Sequence, residues 1–277
     1  MRFDEPGFLQ RAYGDDHGLS VRMETHRLYS IERGNLFETI TDEAARQVVP
    51  MRVLDVGAGI GGWYHALRER LGPVPHYVGV DQSEGMVVRL REVCRGDPHA
   101  EAAIGDAQAL SWPDESFDWV GLHFMLYHVP DIRLALNEAW RVLRQGGLLL
   151  AATTAERPYR ELFDLVARGL ESLGYKGARI ESPGVRFSLE HGHRFFPEQP
   201  EVLVHPAGLR FDSVEPAVRF LASGPLDSAL EQNGAPESLR EDLLAYVGLR
   251  VSEEIQRSGS FLASSESGFF MLRKAGR

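Results

Sequence analysis

The sequence predicts an α/β fold, a mostly parallel sheet carried on crossover helices. Three observations lead there. Short apolar runs alternate with helical patterns between residues 53 and 153, the rhythm of a parallel sheet. The first run, Val53-Leu54-Asp55-Val56, breaks at once into Gly57-Ala58-Gly59-Ile60-Gly61-Gly62 and the start of a helix. The second run, His76-Tyr77-Val78-Gly79-Val80-Asp81, closes on a carboxylate. A strand, a glycine turn and a helix N-terminus make a ligand crevice, because small residues let backbone approach and first-turn N–H groups stay unpaired.

The elements follow in order. Residues 1–50 read as an N-terminal helical cap: one helix from Ser20 with Val21, Leu28 and Ile31, then a break at Gly34-Asn35. A second helix with Leu36, Phe37, Ile40 and Ala44 ends before Pro50. Residues 51–155 form the crevice half. Its third run is Ala102 to Ala107, with Asp106 near the end, and its fourth is Phe117 to His123. Pro130-Asp131 opens an amphipathic helix with Ile132, Leu136, Ala139 and Val142, which stops at Gln145-Gly146-Gly147 before a strand over Leu148 to Ala152. Residues 156–277 should complete the sheet and supply a substrate region. They hold a helix over Pro158 to Leu173, a strand at Glu201 to Val204, and helices at Val214 to Leu221 and Pro236 to Gln256. Gly268 to Arg273 is the last strand. The Gly-, His- and aromatic-rich stretch 182–196 reads as a lid, since long irregular segments in compact domains are usually functional.

By spacing, Gly57, Gly59 and Gly62 satisfy G-x-G-x-x-G, which suits a nicotinamide dinucleotide as well as S-adenosylmethionine. The wider order of motifs decides. Leu54 to Gly59, Val80-Asp81, Gly105-Asp106-Ala107, His128-Val129-Pro130-Asp131 and Arg141 to Gly147 together resemble the class I S-adenosylmethionine-dependent methyltransferases, closely the branch acting on small molecules and lipids. The likeness covers roughly residues 50–155. It implies a Rossmann-like seven-stranded sheet with an antiparallel last strand, and S-adenosylmethionine as cofactor.

The resemblance also assigns positions. Backbone at Gly57, Ala58 and Gly59 should lie close to the methionine part, with Asp55 setting the turn. Asp81 should take the ribose hydroxyls, and Gln82 or Met86 the adenine face. Asp106 should accept from the adenine amine, and Ala107 donate its N–H to the ring. His123 and Phe124 should border the methionine moiety and the transferred methyl. A base, where the acceptor needs one, is sought among His128, His123 and Tyr127, because histidine titrates near neutrality. In the cap, Tyr13, Arg22, His26, Arg27 and Tyr29 are candidates to touch the cofactor.

Composition narrows the partners. Forty acidic against thirty basic residues give a net charge of −10, and no dense basic stripe is present, so nucleic acid is disfavoured. A macromolecular acceptor, RNA or protein, stays open as the alternative, as does a cofactor-binding protein without transferase activity. One cysteine excludes an internal disulfide and a multi-cysteine zinc site, and His191 with His193 lacks an evident third ligand, so no metal is expected. No apolar run is long enough for a membrane span and the polar opening residues do not read as a signal peptide, which makes the cytoplasm the expected location. His123-Phe124-Met125-Leu126 lacks the Asn/Asp-Pro-Pro-aromatic motif of amino-methylating DNA enzymes.

Overall fold

The computed structural model describes residues 17–31, 35–74 and 76–276. Its centre is a seven-stranded sheet in the order β3-β2-β1-β4-β5-β7-β6. The strands are β1 (Arg52–Val56), β2 (His76–Asp81), β3 (Ala100–Ile104), β4 (Phe117–Leu122), β5 (Leu143–Thr154), β6 (Glu201–Phe211) and β7 (Phe261–Arg273). β1 to β5 are parallel neighbours, and β7 runs antiparallel to β5, with Leu150 opposite Met271. The order reverses at β1, between β2 and β4, so the crevice rule for open α/β sheets applies at the carboxyl end of β1.

The chain forms two compact units, each with its own core. One unit comprises residues 35–154, 186–205 and 267–276 and carries the inner strands. Side chains alternate across its sheet. Leu54, Val78, Val120 and Leu149 pack on one face with α5 (Ile132–Val142). Val53, Tyr77, Trp119 and Leu148 pack on the other with α2 (Leu36–Gln47) and α3 (Gly62–Leu71). Both faces are covered, which is why the strands read as continuous apolar runs. α4 (Glu84–Val93) follows β2. Asp118 ties the lower rim together: its carboxylate accepts from the N–H groups of Met51 (2.6 Å) and Arg52 (2.7 Å) and pairs with Arg144.

The other unit holds α1 (His17–Tyr29), α6 (Arg160–Ser172), α7 (Val214–Ala222), α8 (Pro225–Gln232), α9 (Arg240–Ser258) and the outer parts of β6 and β7. Its core joins Leu162, Val166, Leu209, Phe211, Phe220, Leu243 and Val247. The first two helices therefore belong to different bodies, where the sequence reading has one cap over 1–50. Arg22, His26 and Tyr29 serve packing inside their own unit: Arg22 donates to the Ser223 carbonyl (2.5 Å), His26 Nε2 lies 3.2 Å from the Tyr159 hydroxyl, and Tyr29 meets Phe211. Tyr13 lies outside the described residues.

Several boundaries differ from the sequence reading, among them the last strand, which starts at Phe261 rather than Gly268. β5 starts at Leu143 rather than 148, passing its two glycines because Gly146 takes φ +76° and donates to the Lys274 carbonyl. β6 continues through Pro206 and Gly208, tolerable because it is an edge strand. α8 is an additional helix that opens on Pro225 at its first position.

Candidate active site

The glycine turn is built by a few fixed bonds. Gly57 and Ala58 donate to the Val80 carbonyl at 2.7 and 3.0 Å, folding the turn back onto β2. Gly57 and Gly59 take left-handed φ of +70° and +53°, open to glycine at low cost. A Cβ at Gly57 would stand 2.7 Å from the Met125 side chain, whereas one at Gly59 would meet nothing within 4 Å. Gly62 opens α3 with the Phe37 ring against it, 2.9 Å from where a Cβ would be.

Asp81 sits at the end of β2 and is clamped from both sides. Its Oδ2 accepts from the Gly59 N–H (3.0 Å) and its Oδ1 from the Ser83 N–H (2.9 Å). Burial raises its pKa, opposed by these backbone hydrogen bonds. Each oxygen keeps a further lone pair for a ligand hydroxyl. Ile104 pairs with Asp81 across the β2–β3 ladder and is 57% exposed, an apolar patch beside the carboxylate. Gln82 is exposed at the same place, while Met86 is turned into the protein from the first turn of α4.

Asp106 is exposed and organises its own loop. Its carboxylate accepts from the Gln108 N–H at 2.8 Å, and Gln108 in turn accepts from the Asp131 N–H at 3.0 Å. Ala107 is buried at the centre of this link between the β3 loop and the start of α5. The motif Arg141 to Gly147 has a local reason too. Arg141 pairs with Glu138 and donates to the carbonyls of Leu110 and Trp112, holding the loop before β4.

Asp55, expected to set the glycine turn, hydrogen-bonds to the neighbouring strand. It is 2% exposed and accepts from the Tyr77 hydroxyl at 2.9 Å. Burial pushes its pKa up to about 7, partly offset by that hydrogen bond.

Beyond β4 the chain carries four of the expected residues. His123 is 6% exposed, and its ring lies against Trp63 (4.5 Å between centroids) and Phe37 (5.6 Å). Neither ring nitrogen has a hydrogen-bond partner among the described residues. Burial drives its pKa down to about 3, so the imidazole is neutral at physiological pH and a poor base there. Phe124 takes φ +55°, rare for a bulky residue, and donates its N–H to the Ala152 carbonyl at 2.9 Å. Tyr127 and His128 lie in a short 3-10 turn, Leu126–His128, with their rings edge to face at 4.6 Å. Arg186 braces this turn, donating to the carbonyls of Tyr127 (2.8 Å) and Val129 (2.9 Å) and, at 3.2 Å, Pro130.

The stretch read as a lid places Phe187 and Phe196 in the core and leaves Phe195 half-buried beside them. Phe187 and Phe196 are buried against Phe270, at 5.5 and 5.2 Å between ring centroids. Thr153 donates its hydroxyl to the Phe187 carbonyl, and the Leu189 N–H donates to Thr154. Burial of two large rings outweighs the irregular backbone. Phe37, Trp63, Met125, Ile104 and Arg186 are site neighbours to which the sequence reading gave no site role. Trp63 alone had a local signal, following directly on the glycine turn.

Residues 54–151 match the protein family described as methyltransferase domain. The demethylmenaquinone methyltransferase of Listeria monocytogenes serotype 4a is 36% identical over 137 residues, 49% of this chain and 51% of that protein. The chain thus spans about half the length of the curated relatives it matches. Among solved structures, the YcgJ protein of Bacillus subtilis aligns with a TM-score of 0.54 at 19% identity, over 87% of this chain and 98% of that one. A methyltransferase-like protein of Bacillus halodurans C-125 gives 0.53 at 20% identity, over 87% and 100%. These likenesses establish the fold. Residues 54–151 thus carry the match to a methyltransferase domain within this fold.

Proposed function

We propose that the protein transfers a methyl group from S-adenosylmethionine to a small, partly apolar organic acceptor. The observation that carries this is the Asp81–Gly59 bond at the sheet's switch point, because it couples a ribose-type acceptor to a glycine turn with open space above it. The residues present fit the cofactor. Asp81 would hold the ribose hydroxyls, with Ile104 and Gln82 beside the adenine. Asp106 and the Ala107 N–H would meet the adenine edge, and Gly57 to Gly59 the methionine part. The methyl end falls to His123 and Phe124.

When bound, the cofactor supplies an electrophilic methyl on a sulfonium leaving group. The chain's own work is then orientation and exclusion of water. His123 stays neutral and contributes shape rather than proton transfer. Where the acceptor must lose a proton, Tyr127 and His128 remain the candidate bases, on a turn that Arg186 keeps rigid. The quinone-directed relative supports a ring-bearing acceptor, for example a hydroxylated quinone precursor. Among the described residues no helix is long and apolar enough to cross a membrane, and a cytoplasmic location fits that reading.

Calorimetric titration with S-adenosylmethionine, S-adenosylhomocysteine and NAD tests the cofactor. Binding of the first two with silence from NAD supports the proposal, and NAD binding alone overturns it. A panel of hydroxylated quinones, phenols and amines, with methylation followed by mass spectrometry, then tests the acceptor class.

A further inference from the structure

Four rings gather where β1 and β4 end, all within one compact unit. Phe37 meets His123 at 72° and Phe124 at 89°, with centroids 5.6 and 6.0 Å apart, and Trp63 meets His123 edge to face at 4.5 Å. Trp63 and His123 are buried, whereas Phe37 and Phe124 keep part of their surface. Phe37 also lies on Gly62, at the N-terminus of the helix that follows the glycine turn. Two features mark the cluster as more than packing. Phe124 holds its ring in place through a backbone conformation that costs a bulky residue energy, a kind of strain concentrated at ligand sites. His123 brings two buried ring nitrogens without a partner among the described residues, where an apolar side chain would fill the space at no polar cost.

We propose that this ring cluster distinguishes the charged cofactor from its neutral demethylated product. Phe37 and Phe124 offer π-electron density to the sulfonium, and Trp63 and His123 hold those two rings in position. The inference rests on the reading of this crevice as the S-adenosylmethionine site. Its physical basis is the attraction between a cation and an aromatic ring, which strengthens when water is excluded. Methyl transfer removes the positive charge from sulfur and with it this attraction, while the adenosine and amino-acid contacts stay the same. The site therefore favours substrate cofactor over product and eases product release. Burial keeps the His123 imidazole uncharged, so no second cation stands behind the rings to oppose the sulfonium.

The test is calorimetry of S-adenosylmethionine and S-adenosylhomocysteine on the wild type, Phe37→Leu, Phe124→Leu and Phe37→Tyr, with thermal melts to establish that each variant folds. The leucine variants should lose S-adenosylmethionine affinity by ~3–10-fold and product affinity by much less, narrowing the ratio, and Phe37→Tyr should retain it. An analogue carrying a protonated amine in place of the sulfonium should follow S-adenosylmethionine. Equal losses for both ligands in both leucine variants would reduce the rings to apolar packing and overturn the proposal. Failure of the wild type to bind either ligand would instead overturn the site reading beneath it.

Discussion

The Gly59 N–H donates to Asp81 Oδ2 at 3.0 Å, so the glycine turn and the carboxylate that ends β2 are one structural unit. Neither can move without the other. Asp81→Ala removes the acceptor for two backbone N–H groups as well as the proposed ribose contact. Cofactor affinity should fall by about 1–3 kcal/mol, the scale for a lost hydrogen-bonding group. Asp81→Asn should also lose affinity, because its amide presents N–H where one backbone donor already points. Unchanged affinity in calorimetry would remove Asp81 from the site.

Asp55 gives a pH prediction with a defined sign. Its folded-state pKa is raised to about 7 by burial, above the ordinary carboxylate value. The unfolded chain therefore ionises first as pH rises. The stability tied to protonated Asp55 is complete below the unfolded pKa of roughly 4 and is lost as pH climbs through about 7. A shift of this size corresponds to on the order of 4 kcal/mol. Asp55→Asn keeps an acceptor for the Tyr77 hydroxyl and does not ionise. Urea titrations at pH 5 and pH 8 should show the variant gaining on the wild type at the higher pH. A difference independent of pH would mean that Asp55 carries no such penalty.

How far the sequence reached can be read from these two carboxylates. Asp81 was legible because its setting is local: a strand end, a glycine turn and a helix start fix its surroundings whatever the rest of the chain does. The Asp55–Tyr77 hydrogen bond was not, since Tyr77 arrives from the next strand, through the pairing of Arg52 with His76 onward. The same distinction explains the aromatics. Phe187 and Phe196 sit in a segment without periodicity, and only Phe270, far along the chain, shows that they are core. The meeting of Phe37 and Trp63 at His123 likewise requires two helices to pack on one face of the sheet.

Arg186 should matter through the turn that it braces. Arg186→Ala leaves the carbonyls of Tyr127 and Val129 without their charged donor. The expected cost is about 1.5–3 kcal/mol of stability, the range for hydrogen bonds to charged groups. Lysine reaches fewer carbonyls at once and should rescue only part of it. Denaturant titration of the two variants checks the order, and equal stability of alanine and wild type would show that the turn holds itself.

Phe187 separates a packed segment from a mobile one. It is fully buried, so Phe187→Ala should cost about 3–5 kcal/mol, as for other large-to-small core changes. A solvent-facing lid residue would cost less than about 0.5 kcal/mol. Thermal unfolding distinguishes the two.

Gly59→Ala separates ligand contact from backbone strain better than any other substitution in the turn. At Gly57 the two effects are mixed, because a Cβ there would also strike Met125. At Gly59 a Cβ meets nothing within 4 Å, so the protein itself bears only the left-handed φ of +53°. That conformation costs an alanine about 1–2 kcal/mol. If the open space above Gly59 is where the cofactor lies, its affinity should drop well beyond what the small loss of stability explains. A variant that melts slightly earlier yet binds S-adenosylmethionine as tightly as the wild type would move the ligand off this turn. A variant that folds but no longer binds would fix the cofactor over Gly59, with Asp81 held beside it by the same amide.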